Sequence, residues 1–385
     1  MTIIQISNNQ DRFGFYQVGD FRSYSRNEAY EHAKGGQKVA WNFNQEVYSS
    51  FDWLQEPPES LEELYRQHAQ RLREKYDYLV LWFSGGADSG NILNTFLNFN
   101  IRIDEVVSYV NYDATGDKFN FLNAEIYNVA VPWIESAQVK QPWLKHRILD
   151  LSQITMDSFS GKEDKFDWIY DVNSYQNPNV LARRDIKTKV PDWMNMVDQG
   201  LRVGFIHGVD KPKVTGINGD FYYQFVNMVD TAVSPLVQKL NRDWEHDELF
   251  YWSPEAPLIP IKQAHVVKRF LKSANNTTPG VTTERIGLVS FTYQGQVLWL
   301  TLSTINQLIY PWWQQVPFQA KTKSTFFTPR DTWFFNLPDS DIAKYSWRVG
   351  LEHLWRTTPD ACKRDPKSMS QGFFRDTSPP YYLGK

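Results

Sequence analysis

The chain has 385 residues, a formal net charge of −3 at pH 7 and a single cysteine, Cys362. This length has room for roughly two or three domains, and the balanced charge excludes a general electrostatic attraction to nucleic acid or to anionic membranes. One cysteine excludes an intrachain disulfide, a CxxC redox pair and a cysteine-ligated metal site, so we expect it to be inert. Because no signal peptide and no membrane-spanning apolar stretch is found, we expect a cytoplasmic protein without a membrane partner.

Residues 1–75 are predicted to form a small N-terminal appendage. The segments FGFYQV and KVAWNF have the aromatic and β-branched content of strands. Residues 23–33, which lie between them, are typical of a short capped helix. After the prolines at 57–58, the run from Ser60 to Glu63 is a capping box and predicts a helix that ends near Lys75.

Strand-like and helix-like segments alternate between residues 76 and 213. The predicted strands are 79–83, 105–111, 147–151 and 201–207, and the predicted helices include 90–100, a helix that ends near 136, and 183–199. Alternation of this kind predicts an α/β fold with a parallel, doubly wound sheet. Ligands of such sheets bind at the carboxyl ends of the strands, near the point where the strand order reverses. We therefore expect the loops 84–89, 110–113 and 207–213 to share one crevice.

The loop after the first predicted strand has the composition of a phosphate-binding loop. It reads Ser84, Gly85, Gly86, Ala87, Asp88 and Ser89. Adjacent glycines let the backbone turn tightly and bring its N–H groups to an anion, and the two serine hydroxyls can donate hydrogen bonds to phosphate. Because the apolar spacing of 90–100 is helical, the loop is expected at a helix N-terminus, which favours phosphate. The loop matches neither the Walker A pattern nor the dinucleotide fingerprint G-x-G-x-x-G.

All six residues of this loop resemble the S-G-G-x-D-S signature of the PP-loop (N-type) ATP pyrophosphatase superfamily. That superfamily includes asparagine synthetase, GMP synthetase, NAD synthetase, argininosuccinate synthetase and several tRNA-modifying enzymes. The resemblance covers residues 76–213 and implies a five-stranded sheet of the adenine nucleotide alpha hydrolase-like type. It also implies ATP and Mg²⁺ as cofactors, with the loop residues 84–89 binding the nucleotide.

The activity implied by the resemblance is that of an AMP-forming ligase or amidotransferase-like enzyme. A carbonyl, carboxylate or amide oxygen would attack the α-phosphorus of ATP, pyrophosphate would leave, and an amine or ammonia would attack the activated carbon. The chain is similar to the synthetase part of asparagine synthetase, and a standalone phage-encoded protein is one form that such a chain could take. Residue 2 is Thr where the glutaminase of that enzyme has its cysteine nucleophile, and a lone cysteine cannot support sulfur transfer.

Further residues near the ends of the predicted strands are candidates for the same site. Asn111 and Asp113 occupy the position of the segment that contacts adenosine in this superfamily. The resemblance therefore implies that Asn111 contacts adenine and Asp113 contacts ribose, although both are also ordinary turn residues. Asp88 and Asp210 are candidate Mg²⁺ ligands, since hard cations prefer carboxylate oxygens. Asp88 could instead cap the helix. Lys211 or Lys213 could neutralise charge on the α-phosphate, although a solvated turn would also explain Asp210 and Lys211.

Three other clusters of charged residues have weaker functional interpretations. The run from His246 to Glu248 lacks the spacing of a metal site and is predicted to be a solvated face. His265 lies in an amphipathic helical pattern and is predicted to be a partly buried histidine with its hydrogen bonds satisfied. The run from Arg183 to Asp185 is either a bidentate anion-binding group or the start of a surface helix.

Residues 214–385 are predicted to form a region that holds the substrate or a partner. The pair at 218–219, Asn-Gly, predicts a β-hairpin. The many aromatic residues toward the C-terminus favour core packing, although aromatics interleaved with arginine could also stack on nucleic-acid bases. Two alternatives therefore stay open beside an enzyme with a small-molecule substrate, namely an enzyme that modifies a tRNA or DNA base, and an ATP-binding module without catalysis.

Overall fold

The structure is a computed structural model. It describes residues 14–33, 37–111, 123, 126–159, 167–170, 178–209, 211–226, 246–275, 290–293, 296–299, 302–313, 332–360, 363 and 376–385. Among the helices of these ranges, none is both long enough and apolar enough to cross a membrane.

The strands and helices of the described residues are numbered in chain order. The strands are β1 (Phe15–Val18), β2 (Phe21–Ser23), β3 (Ala40–Asn42), β4 (Tyr78–Trp82), β5 (Glu105–Val110), β6 (Lys145–Asp150), β7 (Val203–His207), β8 (Val214–Ile217), β9 (Asp220–Tyr223), β10 (His246–Leu249), β11 (Ser290–Tyr293), β12 (Gln296–Trp299) and β13 (Tyr381–Gly384). The α-helices are α1 (Arg26–His32), α2 (Gln45–Tyr48), α3 (Leu61–Lys75), α4 (Ala87–Asn98), α5 (Val131–Lys140), α6 (Leu151–Phe159), α7 (Val180–Asp185), α8 (Pro191–Asp198), α9 (Leu258–Asn275), α10 (Leu302–Ile309), α11 (Thr332–Phe335) and α12 (Ile342–Thr357).

The predicted N-terminal strands and helices form, together with β2 and α2, which the sequence did not predict. Strands β2, β1 and β3 make a small antiparallel sheet, and Ser25 caps α1 by accepting a hydrogen bond from the backbone N–H of Glu28. Helix α3 begins after Ser60, whose Oγ accepts from the N–H of Glu63 at 3.1 Å. The carboxylate of Glu63 binds Arg66 and Gln67.

An all-parallel sheet of five strands confirms the predicted α/β class. The strand order is β6-β5-β4-β7-β10, so the order reverses between β4 and β7. Strands β4 to β7 differ from the predicted strands by one or two residues at their ends. The fifth strand, β10, contains the run from His246 to Glu248, which the sequence predicts to be a solvated face. That prediction is wrong, because β10 pairs with β7 and the side chains of Asp247 and Glu248 are buried.

The central strand β4 is buried on both of its faces. Leu79, Leu81 and Phe83 belong to the largest hydrophobic cluster, whereas Val80 belongs to a second cluster with Trp193 of α8. Successive side chains of a strand point to opposite faces. A strand that is covered on both faces therefore reads as a continuous apolar run, which is the pattern that the sequence shows from Leu79 to Phe83.

The predicted helix over 183–199 is interrupted. The chain forms α7, a 3₁₀ segment (Ile186–Lys189) and then α8, which begins at Pro191. The residue before the proline, Val190, is extended with φ −108° and ψ 101°. A proline disfavours the helical conformation of the preceding residue but suits the first position of a new helix. The helix predicted to end near 136 runs to Lys140.

The C-terminal part contains the predicted hairpin and a buried aromatic cluster. Asn218 and Gly219 both have positive φ, 51° and 87°, as the tight turn between β8 and β9 requires, and β13 extends this sheet. The indole rings of Trp168 and Trp347 stack at 4.9 Å, next to the fully buried Phe334. In the described C-terminal residues, the aromatic side chains of this cluster therefore serve packing.

We expect Gly350→Ala to destabilise the fold. A Cβ at this position of α12 would lie 2.2 Å from Nε1 of Trp168, and overpacking of a filled core costs about 1–3 kcal/mol. The measurement is urea unfolding, with Arg348→Ala on the exposed side of the same helix as the control. Equal stability of the two variants would contradict the packing described for α12.

Candidate functional site

The loop 84–89 joins β4 to α4 at the carboxyl edge of the sheet. Gly85 has φ +77°, a conformation that favours glycine, and a Cβ there would lie 3.2 Å from the backbone nitrogen of Ala130. Ala130 ends a π-helical turn (Ile126–Ala130) that leads into α5. Gly86 is the N-cap of α4. Glycine at 85 is thus required both by the backbone conformation and by the close approach of this turn.

The two serines of the loop hold its shape from inside. The N–H of Ser84 donates to Oγ of Ser89 at 3.3 Å, and the N–H of Gly86 donates to Oγ of Ser84 at 3.2 Å. The hydroxyl of Ser89 donates to the carbonyl of Gly86 at 3.3 Å. The loop is therefore bonded to itself, and the Oγ of Ser84 is used as an acceptor, which does not consume its O–H.

The loop after β7 lies directly against the loop 84–89, as the sequence predicts. A Cβ on Gly208 would lie 3.1 Å from the backbone nitrogen of Ser89 and 3.2 Å from Cβ of Asp88. Three residues further on, the ammonium group of Lys211 donates to both carboxylate oxygens of Asp88, at 2.5 and 2.6 Å. The Lys211 side chain is only 12% exposed, so it is not the solvated lysine of the alternative interpretation. Asp210 lies outside the described residues.

Two tyrosines from distant segments contact Asp88. The hydroxyl of Tyr310 donates to Oδ1 of Asp88. The hydroxyl of Tyr251 donates to the backbone carbonyl of Asp88 at 2.8 Å and accepts from Nδ2 of Asn91 at 3.0 Å. Because Gly86 is the N-cap and Asp88 follows in the first turn, the carboxylate of Asp88 does not cap α4. Sequence reasoning missed both tyrosines, since neither belongs to a local motif.

Burial strengthens the preference of these tyrosines for the neutral form. Burial, together with nearby groups that include the charge of Asp88, raises the pKa of Tyr251 and of Tyr310 well above the usual value. Tyr65 lies beside them, with its ring 5.7 Å from that of Tyr251. Its hydroxyl donates to the carbonyl of Ile309 at 2.8 Å. The three phenols are therefore hydrogen-bond donors that stay protonated at neutral pH.

Asn111 follows β5, the neighbour of β4, and is almost fully buried. Its backbone N–H donates to Oδ1 of Asn123 at 3.0 Å, and Nδ2 of Asn123 donates to its carbonyl at 2.8 Å. Its own Oδ1 is buried and, within the part of the chain that the structure describes, accepts no hydrogen bond. A buried acceptor without a donor is costly, and an exocyclic amine would satisfy it. The predicted contact with adenine fits this atom. Asp113 lies outside the described residues.

The structure places a buried charge cluster on β7 and β10. Nε2 of His207 lies 2.8 Å from Oδ1 of Asp247, and the ammonium group of Lys187 donates to Oδ2. The neighbouring Glu248 is fully buried and accepts from Lys75 at 3.0 Å and from the hydroxyl of Tyr76. A run of charged residues carries no local sign of burial, so only its place in the sheet reveals these partners.

Of the remaining predicted positions, His265 and Asp185 have hydrogen-bond partners within the protein. His265 is buried, with Nε2 2.9 Å from the carbonyl of Trp53, and burial lowers its pKa. The prediction of a satisfied histidine is confirmed. Asp185 accepts from the hydroxyl of Ser158 at 2.9 Å. The side chains of Arg183 and Arg184, like Cys362, are not among the described groups.

The described residues contain no group of three or more histidine, cysteine, aspartate or glutamate side chains that could hold a metal ion. Of the two predicted Mg²⁺ ligands, Asp88 is the described one, and an ammonium group already contacts both of its carboxylate oxygens. In this arrangement Asp88 does not fit a metal ion. The loop and Asn111, by contrast, fit a nucleotide.

Comparison with known proteins adds no relative. No protein-family model matches the chain, and no curated protein matches it significantly. The resemblance to the PP-loop superfamily therefore depends on the loop 84–89 and on its surroundings.

We expect Lys187→Met to destabilise the protein strongly at neutral pH. Burial alone would raise the pKa of Asp247, but Lys187 and His207 outweigh it and lower this pKa from 3.8 to about 2. This contribution to stability is complete above pH 3.8 and is lost as the pH falls toward 2. Removing the lysine leaves the buried carboxylate without its lysine partner, at a cost of about 3–5 kcal/mol at pH 7.

The measurement for this variant is urea unfolding at pH 7 and at pH 4. The deficit in unfolding free energy should narrow at pH 4, because the carboxyl group of Asp247, once its lysine partner is gone, can take up a proton in the variant. The control is Lys189→Met, an exposed lysine in the same 3₁₀ segment. A deficit that does not change with pH would contradict this assignment.

Proposed function

We propose that this chain binds ATP at the loop 84–89 and is an AMP-forming enzyme of the ligase or amidotransferase-like type. One observation carries the proposal: the S-G-G-x-D-S loop lies where the strand order reverses, with Lys211 bonded to it. The crevice at such a reversal is where open α/β sheets bind their ligands. A doubly wound fold of the adenine nucleotide alpha hydrolase-like type, with PP-loop membership, is part of the proposal.

The phosphates are expected at the N-terminal end of α4. The first N–H groups of a helix have no acceptor within the helix, and the helix dipole adds positive potential there. Lys211 adds a full positive charge beside the same turn. The adenine is expected at Asn111, whose buried Oδ1 would accept from the exocyclic amine. Asp113 remains the proposed contact of the ribose.

The proposed chemistry is adenylation of an acceptor. ATP, when bound, supplies an α-phosphorus that an oxygen of a carbonyl, carboxylate or amide attacks with release of pyrophosphate, and an amine or ammonia then displaces AMP from the activated carbon. The ammonium group of Lys211 would neutralise charge that develops on the phosphate oxygens. A Mg²⁺ ion is proposed to accompany the triphosphate, with Asp210 as a candidate ligand.

The reaction type is tested with α-labelled ATP. The purified chain is incubated with labelled ATP, Mg²⁺ and a pool of metabolites, with and without ammonia. The proposal expects AMP and pyrophosphate in equal amounts. ADP and phosphate as the only products would contradict adenylation. ATP binding without turnover under any condition would favour the non-catalytic module.

We expect Ser89→Ala to weaken ATP binding between about fivefold and thirtyfold, since each neutral hydrogen bond contributes about 1 kcal/mol and the serine makes two of them. The hydroxyl of Ser89 forms hydrogen bonds with both Ser84 and Gly86. Its loss therefore removes two contacts that hold the conformation of the loop. The measurement is isothermal titration calorimetry with ATP and Mg²⁺. The control is Ser152→Ala, a serine in the first turn of α6 after β6. Equal affinity of the two variants would show that the loop does not hold the nucleotide.

A further inference from the structure

The carboxylate of Asp88 is engaged by groups of the protein itself. Lys211 donates to Oδ1 at 2.5 Å and to Oδ2 at 2.6 Å, and the hydroxyl of Tyr310 also donates to Oδ1. An ionised carboxylate has about four acceptor positions, so most of them are used. The side chains of Asp88 and Lys211 are 23% and 12% exposed, and the ion pair is therefore partly shielded from water.

The ion pair between Lys211 and Asp88 offers a reason why an acidic residue can stand in a loop that is proposed to bind phosphate. A lone carboxylate would repel a triphosphate, so a cation must lie between the two. Lys211 already supplies a cation at this carboxylate, with its ammonium group on both carboxylate oxygens. A Mg²⁺ ion demands near-ideal octahedral geometry at about 2.0–2.1 Å, and it cannot share these oxygens with an ammonium group without strong repulsion.

We propose that Asp88 positions Lys211 for the phosphates of the nucleotide instead of binding the metal ion, and that Tyr310 holds Asp88 in the orientation that this role requires. The inference rests on the proposed ATP site and assigns a role to each of its charged groups. In it, Lys211 is the group that contacts phosphate. Asp88 and Tyr310 are positioning residues that act through Lys211.

Tyr310 is suited to this role because its own position is determined from several sides. It is buried, its backbone N–H donates to the carbonyl of Asn306 at 2.9 Å, and its ring lies 5.5 Å from that of Tyr251. The preceding carbonyl, that of Ile309, accepts from Tyr65 of α3. The phenol stays protonated and can only donate to a carboxylate. The segment 302–313 thereby completes the site, although it is more than 200 residues from Asp88 in the chain.

The test is a double-mutant cycle on ATP affinity. The variants are Asp88→Asn, Lys211→Met, the double variant and Tyr310→Phe, and calorimetric titrations with ATP are repeated at several Mg²⁺ concentrations. Each of the first two should weaken ATP binding about tenfold, as loss of a charge-assisted contact does. The double variant should be no weaker than either single variant, because both remove the same unit. Tyr310→Phe should weaken binding about threefold, and this effect should vanish in the Asp88→Asn background.

The Mg²⁺ dependence separates the two roles of Asp88. If Asp88 positions Lys211, the Mg²⁺ concentration for half-maximal binding stays within about twofold of the unaltered chain in every variant. If Asp88 binds the metal ion, Asp88→Asn alone raises that concentration about tenfold or more, in line with the loss of a metal ligand. If Asp88 had a purely structural role, the effects of Asp88→Asn and Lys211→Met on ATP affinity would add, and the Mg²⁺ dependence would stay unchanged.

Two matched controls remove similar contacts away from the loop. Tyr382→Phe removes a tyrosine hydroxyl that donates to Asp220 at 2.8 Å in the antiparallel sheet. Asp77→Asn removes an exposed ion pair with Arg202 next to the opposite end of β4. Both should leave ATP affinity unchanged.

Three results would overturn the inference. The first is that the effects of Asp88→Asn and Lys211→Met on ATP affinity add, and the second is that Asp88→Asn alone raises the Mg²⁺ requirement. The third is that Tyr310→Phe leaves ATP affinity unaltered. Each of these results is possible while ATP binding itself persists. If the unaltered chain binds no ATP, the proposed function fails, and this inference fails with it.

Discussion

The parallel pairing of β4 with β7 is the contact on which the candidate site depends. It sets the loop 84–89 beside the loop after β7, and at Gly208 the two backbones come so close that a Cβ would lie 3.1 Å from the nitrogen of Ser89. This separation brings Lys211 onto Asp88. Backbone hydrogen bonds of the sheet determine this pairing. The position of Lys211 at the first turn of α4 therefore follows from the pairing of the two strands.

Buried charges join the elements around this contact. Asp247 of β10 is paired with His207 of β7 and with Lys187 of the 3₁₀ segment before α8, so one carboxylate connects three elements. Glu105 of β5 does the same with Arg147 of β6 and with Trp193 of α8. Removing one partner of such a set is costly, since the other is left buried with its charge. The arrangement therefore depends on all of the joined elements being in place.

Prediction from the sequence succeeded where the signal is local. The strands β4 to β7, the hairpin at 218–219 and the helix after Ser60 follow from apolar runs, turn chemistry and capping, each within a few residues. It failed at Val190, where the proline divides a predicted helix, and at Asp247, where charged residues form the fifth strand. The break at Val190 follows from the local effect of the proline on the residue before it, whereas β10 is a strand because it pairs with β7 in the sheet.

Local chemistry was thus enough to locate the loop 84–89 and to imply a ligand for it, because a glycine-rich turn between a strand and a helix carries its own geometry. The partners of Asp88 could not be read in this way. Tyr251 and Tyr310 stand among many aromatic residues, and only the folded chain brings these two to Asp88. Hydrogen bonds between side chains far apart in the chain have no counterpart in spacing or composition. The loop 84–89 is therefore a property of the sequence, and the partners of its acid are a property of the fold.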